Sequence, residues 1–240
     1  MFSAVSIDTY VILKFIGILI FTVMATRAGM RIGYPFRQII SIVILGNLAG
    51  YLGARAWYIV QHVFGRESYD TSGGLLVWHN AGTVLYGWLL AGSLAFFILT
   101  KIYKISFLII YDAFVPWILV EQLLGRLGCF VAGCCYGKPL DAVWAVTNSI
   151  TNQRLHPVQL YEVFYDLILF LFVISKKKSP PGQKTMIYVI GYPVGRFFLE
   201  FFRGDNLPTL FHLTVPQLAS GGILLSLFFI WLMRPDHDRS

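Results

Sequence analysis

Charged side chains are scarce in this 240-residue chain, at 13% of its residues. Soluble globular proteins carry about 25% charged residues, whereas 57% of this chain is hydrophobic and its mean hydropathy is +0.67. This shortage of charge argues against a soluble domain and predicts a protein of the lipid bilayer. The 16% aromatic content fits that prediction, because aromatic side chains favour membrane interfaces.

Two further features are missing. The basic residues give a net charge of +7 but are spread over loops, without the basic, aromatic-rich polar domain that nucleic-acid binding would need. The first ten residues contain no lysine or arginine, so we expect no cleaved signal peptide and expect the first apolar segment to remain as an anchor. With no internal repeat visible, we predict a single integral membrane domain over residues 1–240.

Cysteine is limited to three residues, Cys129, Cys134 and Cys135, all within one short stretch. They form neither a spaced disulfide framework nor a C-x-x-C pair. A bond between the neighbours Cys134 and Cys135 would be strained. The cysteines therefore leave the redox compartment undecided.

Seven apolar segments are long enough to be membrane-spanning helices. They cover about residues 8–28, 37–62, 82–100, 106–130, 157–175, 184–203 and 213–233. This pattern predicts an all-α membrane protein with a seven-transmembrane-helix bundle and long loops at 61–81 and 131–156. Eleven of the 19 lysines and arginines fall in the loops on one side and four on the other. The positive-inside rule then places the N-terminus outside and the C-terminus in the cytoplasm.

Several charged residues lie within or at the ends of these segments. An arginine at the centre of a membrane helix costs about 2.5 to 3.5 kcal/mol on insertion scales, so such a residue needs protein, water or an anion beside it. With the predicted orientation, Arg55, Arg126 and Arg196 lie in the outer half of the bilayer. The same level is reached by His156, Gln159, Glu162, Glu200 and Arg203. We therefore expect all of these residues to converge on one external-facing site.

Two helical stripes carry the polar groups of this expected site. The first contains Gln122, Arg126, Cys129 and Gly133, and the second contains Tyr192, Arg196, Glu200 and Arg203. Because guanidinium groups bind phosphate through paired hydrogen bonds, we predict that Arg126 and Arg196 clamp a phosphate. The alternative is tight packing at the nearby glycines, with Arg126 paired to Glu121 or Glu162. Arg55 is either a third phosphate ligand or an arginine extended toward the interface.

The fifth segment begins with His156, Gln159 and Glu162. A histidine can take a proton from a thiol near neutral pH, so His156 is a candidate general base. The alternative is that His156 only precedes the helix at the membrane interface and has no catalytic role. His79 and Asn80, together with Tyr86 and Gly87 at the start of the third segment, are candidates for the border of the same cavity. Glu200 is expected to orient Arg196 and Arg203 through ion pairs.

The stretch G-R-L-G-C-F-V-A-G-C-C-Y-G-K-P at 125–139 resembles the signature of the prolipoprotein diacylglyceryl transferases. Residues 46–60, 156–162 (H-P-V-Q-L-Y-E) and 192–205 (Y-P-V-G-R-F-F-L-E-F-F-R-G-D) resemble that family in the same order, as does Gln217 in L-T-V-P-Q-L-A-S. The resemblance implies transfer of a diacylglyceryl group from phosphatidylglycerol to the lipobox cysteine of a prolipoprotein. It also implies a bacterial cytoplasmic (inner) membrane protein with its active site toward the outer leaflet, without a cofactor, a metal or nucleic acid.

The residue patterns and the resemblance together give an expected site. The expected catalytic residues are Arg126, Arg196, His156, Glu162 and Glu200. The expected substrate-binding residues are Arg55, Tyr86, Gly125, Gly128, Cys129, Gly133, Cys134, Gly137, Gln159, Tyr161, Tyr192 and Arg203. Three positions depart from the family pattern, since Cys129 stands in place of asparagine, Cys134 in place of glutamate and Tyr86 in place of histidine.

These departures leave two alternatives open. A divergent paralogue could use an anionic phospholipid with another acceptor, or hold the transferred group on Cys129 or Cys134. A non-catalytic membrane protein could instead use its clustered thiols for metal binding or redox sensing, and the three thiolates with His156 could serve zinc, although their spacing is crowded for such a site.

Overall fold

The computed structural model describes residues 2–64, 85–148, 151–205 and 212–233. Seven α-helices and one two-stranded antiparallel hairpin occur in this part of the chain. The helices are α1 (Phe2–Arg31), α2 (Phe36–Phe64), α3 (Leu85–Ile102), α4 (Phe107–Ala132), α5 (Val158–Ser175), α6 (Gln183–Leu199) and α7 (Val215–Leu232). The strands are β1 (Val146–Thr147) and β2 (Arg154–Leu155), and a 3₁₀ turn, Glu200–Phe202, follows α6.

The helical class predicted from the apolar segments is confirmed, with one helix at each predicted segment. Five of the described helices, α1, α2, α4, α5 and α7, contain windows long and apolar enough to cross a membrane. The protein is therefore a multi-pass membrane protein. The orientation of its termini remains a prediction.

Polar and apolar side chains are distributed as a bilayer requires. Large apolar side chains such as Phe15, Phe164 and Phe228 are more than half exposed on the helix surfaces. Carboxylates are found inside instead, where Glu162 is 4% and Glu200 2% exposed. A soluble protein would not bury carboxylates while exposing so many large apolar groups, whereas lipid is a suitable neighbour for those surfaces.

The chain divides into two compact units, residues 1–21 with 114–240 and residues 22–113. In the first unit α5, α6 and α7 pack in sequence order, and the first part of α1 packs on α4 through the Lys14–Glu121 ion pair. In the second unit α2 and α3 pack along each other. The prediction of a single domain over residues 1–240 remains a prediction.

The hairpin lies in the long loop predicted at 131–156. Val146 pairs with Leu155 and Thr147 with Arg154. The backbone N–H of Asn148 also donates to the carbonyl of Gln153 (2.9 Å). Strands of two residues are too short to show an alternating pattern, so they could not be recognised in the sequence. The hairpin fixes the chain between α4 and α5, and thereby the position of His156, which directly follows β2.

Candidate functional site

Four helical elements of the first unit carry an ionic cluster. Arg126 lies in the last two turns of α4, and Glu162 lies in the second turn of α5. Arg196 is in the last turn of α6, and Glu200 begins the 3₁₀ turn that follows. Arg203 comes directly after that turn in an extended conformation. The expected convergence of Arg126, Arg196, Glu162, Glu200 and Arg203 is therefore present in the structure.

Glu162 is the common partner of three arginines. Its Oε2 lies 3.0 Å from Nε of Arg126, and its Oε1 accepts a short hydrogen bond from Nη1 of Arg196. Nη1 of Arg203 is 4.0 Å from the same Oε1. The side chain of Glu162 is only 5% exposed, so these charges meet away from solvent. Between the two alternatives considered for Arg126, the carboxylate partner is Glu162, because Glu121 pairs with Lys14 at 2.9 Å.

Glu200 is a second carboxylate partner of Arg196 and Arg203. Its Oε2 is 2.9 Å from Nη2 of Arg196 and 3.8 Å from Nε of Arg203. Its Oε1 accepts a hydrogen bond from Oγ1 of Thr214 (2.9 Å), the residue that caps α7. Arg203 also donates two hydrogen bonds to Asp205, at 2.9 and 2.7 Å. These are the ion pairs expected of Glu200, and they fix the orientation of both guanidinium groups.

The predicted stripes are shorter than expected from an unbroken helix. The helix α4 ends at Ala132, and Gly133 adopts the left-handed conformation at φ 72°, which ends the helix before the fourth member of the first stripe. Similarly, α6 ends at Leu199, so that Glu200 reaches the cluster from the 3₁₀ turn and Arg203 from the extended residue that follows it.

A small pocket lies at the ionic cluster. Its lining consists of Arg126, Glu162, Tyr165, Asp166, Tyr192, Arg196 and Leu199. Tyr192 thus shares this pocket with both arginines, and the substrate-binding role expected of it remains a prediction. Asp166 is 3% exposed and was missed by the sequence reasoning. Its signal was available, since an aspartate one turn after Glu162 within a membrane span is itself a functional candidate.

His156 lies just before α5, at the head of the fifth segment as expected, but outside the lining of the ionic pocket. It lines a second cavity, of about 250 Å³, and is absent from the lining of the ionic pocket. The residues of this cavity are Phe130, Val131, Gly133, Tyr136, Val146, Thr147, Asn148, Leu155, His156, Pro157 and Gln159. Nδ1 of His156 is 3.2 Å from Oη of Tyr161, which holds the imidazole ring. His156 and the arginines thus line different pockets, and the catalytic role expected of His156 remains a prediction.

The two pockets meet along one helix. Gln159 lines the His156 cavity, while Glu162, three residues later on α5, lines the ionic pocket. Side chains three residues apart on a helix lie about 5 to 6 Å from each other at their Cβ atoms. The two pockets therefore lie next to each other at the N-terminal end of α5, on neighbouring rows of its side chains.

The signature stretch packs closely against both α1 and the start of α5. A Cβ on Gly128 would lie 3.5 Å from the Cα atom of Tyr10, and one on Gly137 would lie 2.5 Å from Cβ of His156. Gly125 faces Nζ of Lys14, at 3.9 Å from such a Cβ. Gly128 and Gly137 thus allow close packing, whereas a Cβ on Gly125 would make only an ordinary contact with the end of Lys14.

The three cysteines are free thiols and lie together. Their Sγ atoms are all within 4.8 Å of one another, and Sγ of Cys134 is 3.7 Å from the carbonyl oxygen of Cys129. Hydrogen bonds from the thiols of Cys129 and Cys134, together with the charges of Arg203 and Arg126, lower the pKa of Cys135. The cysteines therefore lie within electrostatic reach of the ionic cluster.

The remaining candidates belong to the second unit or to chain that is not described. Arg55 lies in α2, within the second unit. Tyr86 is in the first turn of α3, but its side chain lies outside the described residues, as do His79 and Asn80. The expected roles of Arg55 and Tyr86 at the phosphate site therefore remain predictions.

Fold and site together define a multi-pass helical membrane protein with a buried arginine–carboxylate site. A family model described as "Prolipoprotein diacylglyceryl transferase" matches residues 1–233. This chain belongs to that family of transferases.

Curated relatives agree with this assignment. The chain is 32% identical over 212 residues to the phosphatidylglycerol–prolipoprotein diacylglyceryl transferase of Clostridium tetani, covering 85% of this chain and 84% of the relative. It is 31% identical over 231 residues to the enzyme of the same name from Finegoldia magna, covering 94% and 91%. It is 29% identical over 241 residues to that of Staphylococcus aureus, covering 95% and 84%. The family predicted from the motifs is confirmed.

Proposed function

We propose that this protein transfers the diacylglyceryl group of phosphatidylglycerol to the thiol of a prolipoprotein lipobox cysteine. The names of its relatives support this activity. The observation that carries it is the sharing of the buried Glu162 by Arg126 and Arg196. The family matches favour this transferase over the non-catalytic alternative.

The arginines have donors to spare for a phosphate. A guanidinium group has five N–H donors, and Glu162 is the only ion-pair partner of Arg126 among the described residues. The side chain of Arg126 is 16% exposed and that of Arg196 10%, and both line the ionic pocket. A phosphodiester would bind the remaining donors beside Glu162.

The chemistry requires a leaving group and a nucleophile. The thiolate sulfur of the acceptor attacks the terminal glyceryl carbon of the diacylglyceryl group, forming a C–S bond as the C–O bond to phosphate breaks. Glycerol phosphate leaves with the electron pair of that bond. Arg126 and Arg196 would stabilise the charge that develops on the leaving phosphate, because fixed cations in a site shielded from water act strongly on such charge.

The acceptor would bind in the His156 cavity. That cavity is large enough for a side chain, and its lining is mainly apolar. In the tautomer in which Nδ1 donates to Tyr161, Nε2 of His156 is the basic nitrogen and can take the proton of the acceptor thiol. Because Gln159 lines the acceptor cavity and Glu162 lines the ionic pocket, the acceptor and the phospholipid would lie next to each other along the N-terminal end of α5.

The proposed location is the bacterial inner membrane, with the site toward the outer leaflet. The excess of lysine and arginine in the loops on one side supports this orientation. A site on that side would meet exported prolipoproteins, which arrive as membrane-bound precursors.

The test uses purified protein in vesicles with a lipobox peptide. We expect mass spectrometry to show the peptide with one added diacylglyceryl group, and one glycerol phosphate released per modified peptide, when the vesicles contain phosphatidylglycerol. Vesicles of phosphatidylethanolamine, and a peptide with serine in place of its cysteine, are the controls. The same protein is also expressed in cells depleted of their own transferase. If it forms no product in vesicles and does not restore lipoprotein maturation in those cells, the proposal is contradicted.

Direct transfer also makes a prediction for the thiols. Neither Cys129→Ser nor Cys134→Ser should abolish transfer, because the acceptor supplies the only sulfur that reacts. A lower rate in either variant agrees with the substrate-binding roles expected of these residues. Complete loss in one of them, together with a diacylglyceryl adduct on that cysteine in the wild-type protein, would instead establish the covalent route.

A further inference from the structure

The three thiols form a compact group in which no sulfur forms or breaks a bond in the proposed transfer step. Cys129 lies in the last turn of α4, and Cys134 and Cys135 follow in the loop. All three side chains are partly buried, and every pair of Sγ atoms lies within 4.8 Å. Within the part of the chain that the structure describes, no histidine, aspartate or glutamate belongs to this group.

The backbone holds the thiols in this arrangement. Cys135 has a φ of 58°, a left-handed conformation that costs a residue with a Cβ about 1 to 2 kcal/mol. Together with Gly133 at φ 72°, it bends the loop back toward the end of α4. Because the strained conformation turns the loop onto Cys129, the sulfur atoms are brought together before any ligand binds.

Hydrogen bonds from three other segments fix the same loop. Nδ2 of Asn148 donates to the carbonyl of Gly133 (2.7 Å), and Nε2 of Gln159 donates to the carbonyl of Cys134 (2.6 Å). The backbone N–H of Gly204 donates to the carbonyl of Tyr136 at 3.0 Å. A ligand that bound the three sulfurs would therefore meet a preorganised site.

We propose that Cys129, Cys134 and Cys135 form a three-sulfur binding site for a soft, low-charge metal ion, namely Cu(I). This site goes beyond the transferase function and does not depend on it. Thiolates select soft ions such as Cu(I), whereas zinc takes four ligands in structural sites. Three sulfurs alone satisfy the lower coordination number of Cu(I).

The test is a Cu(I) titration of the purified protein without oxygen, in competition with a chromophoric Cu(I) chelator. We expect one Cu(I) per chain, with X-ray absorption showing three sulfur neighbours. Each of Cys129→Ser, Cys134→Ser and Cys135→Ser should weaken binding at least about tenfold, since even loss of a group behind a ligand costs 10- to 100-fold. The triple serine variant is the control for Cu(I) bound elsewhere.

A second measurement needs no variant. In the wild-type protein without metal, maleimide should label all three thiols, and one equivalent of Cu(I) should protect all three. Equal binding by the triple serine variant, fewer than three sulfur neighbours, or equal protection by Zn(II) would overturn the proposal.

Discussion

Nε of Arg126 on α4 lies 3.0 Å from Oε2 of Glu162 on α5. Glu162 also accepts a hydrogen bond from Arg196, so one carboxylate lies where a phosphate alone had been expected. The anion must therefore bind the other donors of the two guanidinium groups. A buried pair adds little net stability, but removing one partner is strongly destabilising because the other charge remains buried.

The first prediction concerns this shared carboxylate. Glu162→Gln leaves Arg126 and Arg196 without the anion between them, so we expect a loss of about 3 kcal/mol in stability and a loss of transfer activity. Thermal unfolding in detergent and the vesicle assay measure the two effects. Glu121→Gln is the matched control, because Glu121 is also buried but pairs with Lys14, whose side chain is 43% exposed. Equal unfolding temperatures for both variants and the wild type would contradict the role given to Glu162.

The second prediction separates charge from geometry at the phosphate site. Arg126→Lys and Arg196→Lys keep a positive charge but lose the planar fork that donates paired hydrogen bonds. We expect each to lower kcat at least about 100-fold, the loss typical of removing one donor to a developing anion. Arg31→Lys, at an exposed arginine of α1, should leave the rate unchanged. Near-normal turnover in either site variant would show that the guanidinium geometry is not required.

The third prediction concerns the wall of the ionic pocket. A Cβ on Gly195 would overlap the ring of Tyr165, a residue that lines the pocket and donates to the carbonyl of Gly191 at 2.6 Å. Gly195→Ala must therefore displace Tyr165, and overpacking of this kind costs about 1 to 3 kcal/mol. We expect a lower unfolding temperature and reduced activity.

Gly221→Ala is the matched control for that substitution. Gly221 also lies in a helix, α7, but a Cβ added to it would have no heavy atom within 4 Å. The unfolding temperature and activity of this variant should equal those of the wild type. If the two alanine variants have the same unfolding temperature and the same activity, the contact between Gly195 and Tyr165 does not matter for stability or function.

The fourth prediction is the orientation in the membrane. The bias of lysine and arginine places the loop between α5 and α6, with Lys176, Lys177 and Lys178, in the cytoplasm. A cysteine introduced at Ser179 in a variant without the native cysteines should resist a membrane-impermeant maleimide in intact cells and react after lysis. One introduced at Asp141, in the loop before α5, should react in intact cells. The reverse pattern would invert the proposed topology.

Residue order alone was enough to locate the helices and to assign the family. Runs of apolar residues have the length of a membrane span, and loop residues interrupt them, so each predicted segment contains a helix. The spacing of Tyr192, Arg196 and Glu200 likewise placed them on one face, because the helical period is a local property. The family motifs are also local, since each is a short run of neighbouring residues.

The contacts between side chains from different helices required the folded structure. It paired Arg126 with Glu162 rather than Glu121, and it placed His156 in a separate cavity. It also brought Asp166 to the arginines and joined Cys129 to the thiols of the following loop. Helical periodicity fixes the faces of one helix, but the partner of each face depends on how the helices pack and on where the backbone turns, as at Gly133 and Cys135.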